Sequence, residues 1–111
     1  MIELIIKNHL ENQLTIPVYF EFPAQPPSRF LLIRKTDSSR ENQIDSAKIV
    51  ADTYAESLYE AASLNELVKN ALDSLNILPE VCSSERVTDY PNHDTQNKKY
   101  RYQAVQTIIH Y

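Results

Sequence analysis

The segment KKYRYQAVQTIIHY, residues 98–111, decides the fold of this 111-residue chain. Its aromatic and β-branched side chains alternate with polar ones, which is the pattern of a β-strand. Tyr100, Tyr102 and Ala104 fall on one face, and Lys99, Arg101 and Gln103 on the other. Near Val105 the alternation weakens, which predicts a bulge or a second covered face. Terminal residues fray unless hydrogen bonds hold them, so we expect this strand to be paired within a sheet.

Two segments upstream also have strand patterns. LTIPVYFEF, residues 14–22, alternates apolar and mainly polar positions, and Pro17 predicts that it lies at a sheet edge because proline cannot donate to a ladder. PAQPPSR, residues 23–29, is a stiff connector. FLLIRK, residues 30–35, is apolar on both faces, as expected of an interior strand.

The next strands are predicted to form hairpins. TDSSRENQ, residues 36–43, is interpreted as a polar turn, and the alternating segment IDSAKIVADTYA, residues 44–55, returns from it as an antiparallel partner. EVCSSERVTDY, residues 80–90, is a weaker strand candidate. The polar loop PNHDTQNKK, residues 91–99, would join it to the final strand.

Two segments have helical periodicity instead. MIELIIKNHLENQ, residues 1–13, predicts an amphipathic helix of two to three turns. SLYEAASLNELVKNALDSLNIL, residues 57–78, predicts a longer helix that begins at a capping box of Ser57 and Glu60 and ends before Pro79. Its predicted apolar stripe comprises Leu58, Ala61, Leu64, Leu67, Val68, Ala71, Leu72 and Leu75. The chain is therefore predicted to be a single α+β domain, residues 1–111. It should have an antiparallel or mixed sheet of about five strands, with the N-terminal helix and the longer central helix packed on it.

Composition excludes several classes of function. The net charge is −4 and the sequence pI is about 5.3, so the chain lacks the basic surface with which proteins grip nucleic acid. One cysteine allows no intrachain disulfide, and the N-terminus resembles neither a signal peptide nor a membrane span, so a cytoplasmic protein is expected. Because the chain has no glycine, P-loops, dinucleotide-binding fingerprints and serine nucleophile elbows are excluded.

The candidate catalytic and metal-binding residues have simpler interpretations. His9 lies beside an apolar stripe and is interpreted as a structural histidine. Asn92–Asp94 could contact a metal, but turn chemistry is favoured in a polar loop. Cys82 lacks a nucleophile motif and is interpreted as a small buried apolar group. Glu56 and Glu60 are one helical turn apart and are expected to be solvated or part of the cap. We therefore expect no enzymatic activity, catalytic residue, metal or cofactor.

The surface instead favours an interaction function. Seven tyrosines and three phenylalanines fall largely on predicted strands, and tyrosine is common at protein interfaces. The sheet has an edge that only Pro17 protects, and natural proteins usually cover or pair such edges. The two polar loops are long for hairpins. The interface hypothesis comprises Arg40, Glu41, Asn42, Asp89, Tyr90, Asn92, His93 and Arg101.

Residues 30–111 resemble bacteriophage tail terminator proteins, also called tail completion or head–tail joining proteins, of siphophages. The stretches that carry this resemblance are SRENQIDSAKI at 39–49, AESLYEAASLNE at 55–66 and RYQAV at 101–105 with the final HY. The first thirty residues match in layout more than in residue identity. None of these stretches is a catalytic motif.

The resemblance implies a small α+β structural subunit of the virion that assembles with itself into a ring, typically a hexamer. Such a ring caps the tail tube, stops its polymerisation and joins it to the head connector or head-completion protein. It implies contacts with tail tube protein and passage of DNA without specific binding or membrane contact. Assembly would occur in the host cytoplasm, and the finished ring would lie at the head–tail interface.

Two other functions remain open from the sequence. The chain could be a non-enzymatic α+β module that binds a peptide or protein partner through a sheet edge, outside any virion. Alternatively, it could be a small hydrolase that uses Glu56 or His93. Concentration-dependent mass separates the ring from the module. The hydrolase requires an activity that Glu56→Ala or His93→Ala abolishes without unfolding the chain.

Overall fold

The computed structural model describes residues 2–93, 95 and 99–111 and confirms the α+β prediction. A five-stranded mixed sheet packs against two helices. The elements in chain order are α1 (Ile2–Gln13), β1 (Val18–Tyr19), β2 (Phe30–Glu41), β3 (Ile44–Ala55), α2 (Leu58–Asp73), a 3₁₀ turn (Ser74–Ile77), β4 (Val81–Pro91) and β5 (Tyr100–His110).

The strand order across the sheet is β1-β2-β3-β5-β4, with β1 parallel to β2 and every other pair antiparallel. The predicted final strand, β5, lies between β3 and β4 and pairs with both along its length. Ladder hydrogen bonds on both sides therefore hold the last residues of the chain, as expected.

The first predicted strand is much shorter than its alternation suggested. Pro17 does lie beside an edge strand, but β1 contains only Val18 and Tyr19. The backbone of Leu14 still bonds to α1, through its N–H to the carbonyl of Leu10 at 2.8 Å. Leu14, Ile16 and Val18 are nevertheless all buried. Over residues 14–18 the alternation therefore reflects burial of every second side chain, which requires no ladder, whereas Phe20 is exposed.

The interpretation of residues 36–43 as a polar turn is wrong, although the hairpin itself is confirmed. Strands β2 and β3 continue through these residues to the pair Glu41 and Ile44. The turn consists of Asn42 and Gln43 alone, both with positive φ, 53° and 65°. Two consecutive positive φ values match the twist of a two-residue hairpin. The polar residues before the turn are exposed, and their polarity reflects this exposure.

The central helix begins where it was predicted. The Oγ of Ser57 accepts a hydrogen bond from the N–H of Glu60 at 3.1 Å. The regular helix stops at Asp73 and tightens into the 3₁₀ turn before Pro79. Leu58 and Leu67, assigned to the apolar stripe, are 47% and 55% exposed, so the stripe is narrower than predicted. Neither helix of the described residues is long and apolar enough to cross a membrane.

Both helices pack on the same face of the sheet. The core between the helices and the sheet contains Ile6, Leu10, Leu31, Ile33, Ala47, Ile49, Ala51, Leu64, Val68, Leu72, Leu75 and Ile108, among other residues. His9 joins the two helices, because its Nε2 lies 2.7 Å from the Oγ of Ser74 and 3.2 Å from the carbonyl of Ala71. The side chain is buried, which confirms its interpretation as a structural histidine.

The irregularity predicted near Val105 lies on the partner strand. Val105 pairs with Thr88 and Gln106 pairs with Arg86, so Val87 is an extra residue in β4. The adjacent Gln103 and Ala104 are both buried, so the two faces of β5 are covered here. The bulge is therefore in β4, while the second covered face is a property of β5.

Candidate functional site

The sheet has an open face, opposite the helices, that carries a polar network. Because Leu31, Ile33, Ala47, Ile49 and Ala51 point toward the helices, the alternate residues of the same strands point away from them. We call this second surface the open face. Its residues include Phe30, Leu32, Arg34, Val50, Asp52, Tyr54, Arg101 and Gln103.

Asp52 is the centre of this network. Its carboxylate accepts a hydrogen bond from the Nε of Arg34 at 3.2 Å and another from the Nε2 of Gln103 at 2.7 Å. Asp52 is only 3% exposed, whereas the side chain of Arg34 is 49% exposed. A buried carboxylate is stable only when its charge is paired and its oxygens are hydrogen-bonded, and these two donors meet that requirement.

The network continues to the end of β4. The Nδ2 of Asn92 donates to the Oε1 of Gln103 at 2.6 Å. The Nε of Arg101 donates to the carbonyl of Asn92 at 2.7 Å, and its Nη1 donates to the Oη of Tyr54 at 3.1 Å. The Arg101 guanidinium also lies 5.8 Å from the centroid of the Tyr54 ring. These contacts fix the positions of side chains from four strands or strand ends.

An aromatic cluster borders the network. The rings of Phe30 and Tyr54 stack with centroids 4.6 Å apart and an interplanar angle of 5°. Phe22, from the connector before β2, meets both rings edge-on at 5.6 Å. Such contacts add to the free energy gained by burial alone. The connector is thereby held over the Tyr54 end of the open face.

An open surface depression of about 680 Å³ lies between the network and this cluster. We call it the cleft. Because it is open to solvent, it suits a protruding group of a partner better than an enclosed small molecule. It is lined by Phe22, Leu32, Arg34, Asp52, Tyr54, Asn92, His93, Thr95, Arg101 and Gln103.

The chemistry of the cleft suits recognition of an anion. It presents two guanidinium groups, Arg34 and Arg101, and its carboxylate, Asp52, is already engaged by two donors. Guanidinium groups pair well with carboxylates because their planar donors match two acceptor oxygens. Across the described residues, no group of three or more His, Cys, Asp and Glu side chains could hold a metal ion.

A second polar cluster joins α2 to β4 on the helix side of the sheet. Lys69 bonds to Glu66 at 2.9 Å and to Asp89 at 3.0 Å, and the Nδ2 of Asn65 donates to the same Asp89 oxygen at 2.9 Å. The hydrogen bond to Glu66, aided by Asp89, raises the pKa of Lys69 against the opposing effect of desolvation. Lys69 is therefore held in its charged form.

One turn further along α2, Asp73 pairs with Arg86 of β4. The closest contact, from Nη2 to Oδ2, is 2.7 Å, and the Nε2 of Gln106 donates to the other oxygen at 3.0 Å. Desolvation opposes ionisation of Asp73, but the hydrogen bonds from Arg86 and Gln106 prevail and lower its pKa. The bond to Asp73 likewise raises the pKa of Arg86. Hydrogen bonds and ion pairs thus join β4 to α2.

The residues of the interface hypothesis fall into two groups at opposite ends of the sheet. Arg40, Glu41 and Asn42 lie at the tip of the β2–β3 hairpin, where Arg40 pairs with Asp45 at 3.7 Å. Asp45 in turn pairs across the ladder with His110. The structure therefore brings the first three residues together beside the end of β5.

The other five residues lie at or near the far end of β5. Tyr90, Asn92, His93 and Arg101 are at the β4–β5 turn, and the ring of His93 meets that of Tyr100 edge-on at 5.2 Å. His110 follows Arg101 by nine positions along β5, so the two ends are about 30 Å apart. Asp89 faces α2 and is engaged by Lys69 and Asn65. Of the Asn92–Asp94 candidate, Asp94 lies outside the described residues.

The interpretation of Cys82 as a buried residue is wrong. Cys82 is exposed on the edge strand β4, where only Val81 is buried. Its thiol lies next to the hydroxyl of Tyr111, and the interaction between the two groups raises the pKa of that hydroxyl. Glu56 is exposed, and Glu60 faces Arg29 at 4.0 Å, so the structure does not bring these two carboxylates into a shared buried site.

Sequence reasoning missed Arg34, Asp52 and Gln103. Each is a polar residue at an alternating position of its strand. Such a residue is expected equally on a solvent-exposed face and in a binding site. One usable signal was Asp52, an acidic residue among β-branched and aromatic neighbours in a strand predicted to pair in a hairpin. Comparisons with protein-family models and with curated proteins found no match to this chain.

Proposed function

We propose that this protein is a structural, non-enzymatic subunit of a siphophage tail. In this proposal copies of the chain close into a ring, a hexamer, that caps the tail tube and joins it to the head connector. The resemblance of residues 30–111 to tail terminator proteins supports it. Assembly takes place in the host cytoplasm, and the ring then lies in the virion at the head–tail interface.

One observation carries the proposal: the two candidate contact surfaces lie at opposite ends of the sheet. The tip at Glu41 and the cleft end at Arg101 differ in shape and in chemistry. When a contact joins two different surfaces, each bound copy still offers a free surface to the next one. A series of such contacts closes into a ring if the rotation between neighbours allows it.

The charge of the chain agrees with passage of DNA through such a ring. Proteins bind DNA mainly by neutralising phosphates with basic side chains. With a net charge of −4, the chain provides little of this attraction. The partners in this proposal are other copies of the chain, tail tube protein and a head-completion or connector protein.

Native mass spectrometry over a range of protein concentrations tests the ring directly. We expect discrete masses at a fixed multiple of 12.8 kDa, with six subunits as the main species. If the free chain stays monomeric, the same measurement with its own tail tubes should show that it binds at their ends. The gene should also lie between connector and tail-tube genes. A monomer that binds no tube end, encoded elsewhere, contradicts the proposal.

The alternative, a peptide-binding module, is favoured by strand β4. It is an edge strand of eleven residues whose outer side pairs with no other strand of the described chain. Such an edge can accept an extended peptide by strand addition. In that case Thr88→Pro in β4 should abolish peptide binding and leave any ring intact. The opposite result, loss of the ring alone, favours the first proposal.

A further inference from the structure

We propose that the cleft receives the tip of the β2–β3 hairpin from a second copy of the chain, with Glu41 of that copy paired to Arg34. This inference rests on the proposed ring, because it names the contact that joins neighbouring subunits. The occupant follows from the orientation of Arg34, the charge of the cleft, and the position and charge of the hairpin tip.

Arg34 is oriented for an external partner. Its Nε donates to Asp52, which is buried and also held by Gln103. The hydrogen bonds and ion pairs of the Arg34 side chain with described residues are confined to that carboxylate, which leaves its terminal nitrogens to the cleft. An arginine held through Nε loses less conformational entropy when its other donors bind a carboxylate.

The charge of the cleft selects an acidic occupant. Arg34 and Arg101 both line it, and Asp52 offsets only one of their two positive charges. This local positive charge contrasts with a chain whose net charge is −4. Oppositely charged surfaces favour encounter and set the register of a contact.

The hairpin tip supplies such a group. Glu41 is exposed and makes no ion pair with any described residue, whereas the neighbouring Arg40 pairs with Asp45. The turn at Asn42 and Gln43 is only two residues wide, so the tip is narrow. An unpaired carboxylate at a narrow tip fits a cleft that presents oriented guanidinium groups.

Geometry restricts how such a contact can propagate. Glu41 lies seven residues beyond Arg34 along β2, about 23 Å away, so a copy that gives its tip to one neighbour still has a free cleft. A head-to-tail contact of this kind, from the tip of one copy to the cleft of the next, can therefore continue to a third copy and close into a ring. A reciprocal exchange between two copies stops at a dimer.

A double-mutant cycle tests the pair, with self-association measured by sedimentation velocity. The variants are Arg34→Gln, Glu41→Gln and the two combined, with Glu85→Gln as the matched control on an exposed acidic residue of β4. Each single change should weaken association about tenfold, and the double variant should be no weaker than the weaker single one. Glu41→Lys should weaken it further, and the control should have no effect.

Every outcome decides the contact. Arg34→Gln also removes a partner of the buried Asp52. If this variant unfolds, the Glu41 variants still test the contact, because Glu41 is exposed. Rings that persist in Glu41→Lys overturn the contact and leave the proposed ring standing. A wild-type dimer that responds to the cycle supports the contact and contradicts the ring. If the free chain stays monomeric up to about 1 mM, the same variants are compared for ring formation on tail tubes, and rings there that persist in Glu41→Lys overturn the contact.

Discussion

Gln103 donates a 2.7 Å hydrogen bond from Nε2 to the Oδ1 of Asp52 on the neighbouring strand, on the open face of the sheet opposite the two helices. Both residues are less than 5% exposed. A buried acidic residue is costly unless its partners are fixed. The pair therefore identifies the open face as an organised surface, and the cleft is built around it.

Asp52→Asn should destabilise the fold. The substitution keeps the shape of the side chain, but it removes the charge that pairs with Arg34 and places a donor amide where an acceptor is needed. Breaking such charged hydrogen bonds in a buried position should cost about 2–4 kcal/mol in the free energy of unfolding, measured by urea titration. Asp37→Asn, at an exposed position of β2, is the control and should change it by less than about 0.5 kcal/mol.

Leu72→Ala and Leu67→Ala should differ sharply, although both leucines belong to α2. Leu72 is fully buried and Leu67 is 55% exposed. Truncation at Leu72 leaves a cavity and should cost about 2–5 kcal/mol, whereas truncation at Leu67 should cost less than about 1 kcal/mol. Thermal unfolding of the two variants measures this difference. Similar losses would show that the helix packs in a different rotation.

Gln43→Gly should stabilise the hairpin. Gln43 has φ of 65° and its neighbour Asn42 has φ of 53°, a region that glycine enters without steric cost. We expect a gain of about 0.5–1 kcal/mol in the free energy of unfolding. Gln43→Ala, which retains the Cβ, is the matched control and should give no gain. A loss with glycine would contradict the positive φ at this position.

Acid should weaken the attachment of β4. The pKa of Asp73 is lower in the folded chain than its ordinary value of 3.8, so its ionised form favours folding. That contribution is present above about pH 4 and is lost as the pH falls through the folded pKa. Because the side chain is 41% exposed, screening keeps the effect below about 1 kcal/mol. Asp73→Asn should flatten the pH dependence of stability below pH 4, and an unchanged slope would exclude this residue as its source.

The parts of the fold that could be predicted are those in which a sequence pattern is produced by a single kind of local structure. Ser57 fixed the start of α2 because only a capping residue satisfies that backbone N–H. The strand expected over residues 14–22 failed because burial of alternate side chains does not require a ladder partner. The turn expected over residues 36–43 failed because exposed strands and loops share the same polar composition.

The candidate site was less predictable, for a similar reason. Arg101 could be proposed from its position between two tyrosines. Arg34 and Gln103 looked like ordinary residues of a solvated face. Their roles depend on the register of β2, β3 and β5, which aligns both side chains with Asp52. The periodicity of one strand shows which side chains share a face, but it does not show which residues of the neighbouring strand lie opposite them.

The central claim is that copies of this chain close into a ring that ends a tail tube. Negative-stain electron microscopy of purified chain mixed with tail tubes assembled without it tests this claim most directly. The account predicts ring-shaped particles of uniform size at one end of each tube and no further elongation when tube protein is added. Tubes that keep growing with bare ends, beside a chain that remains dispersed, would contradict it.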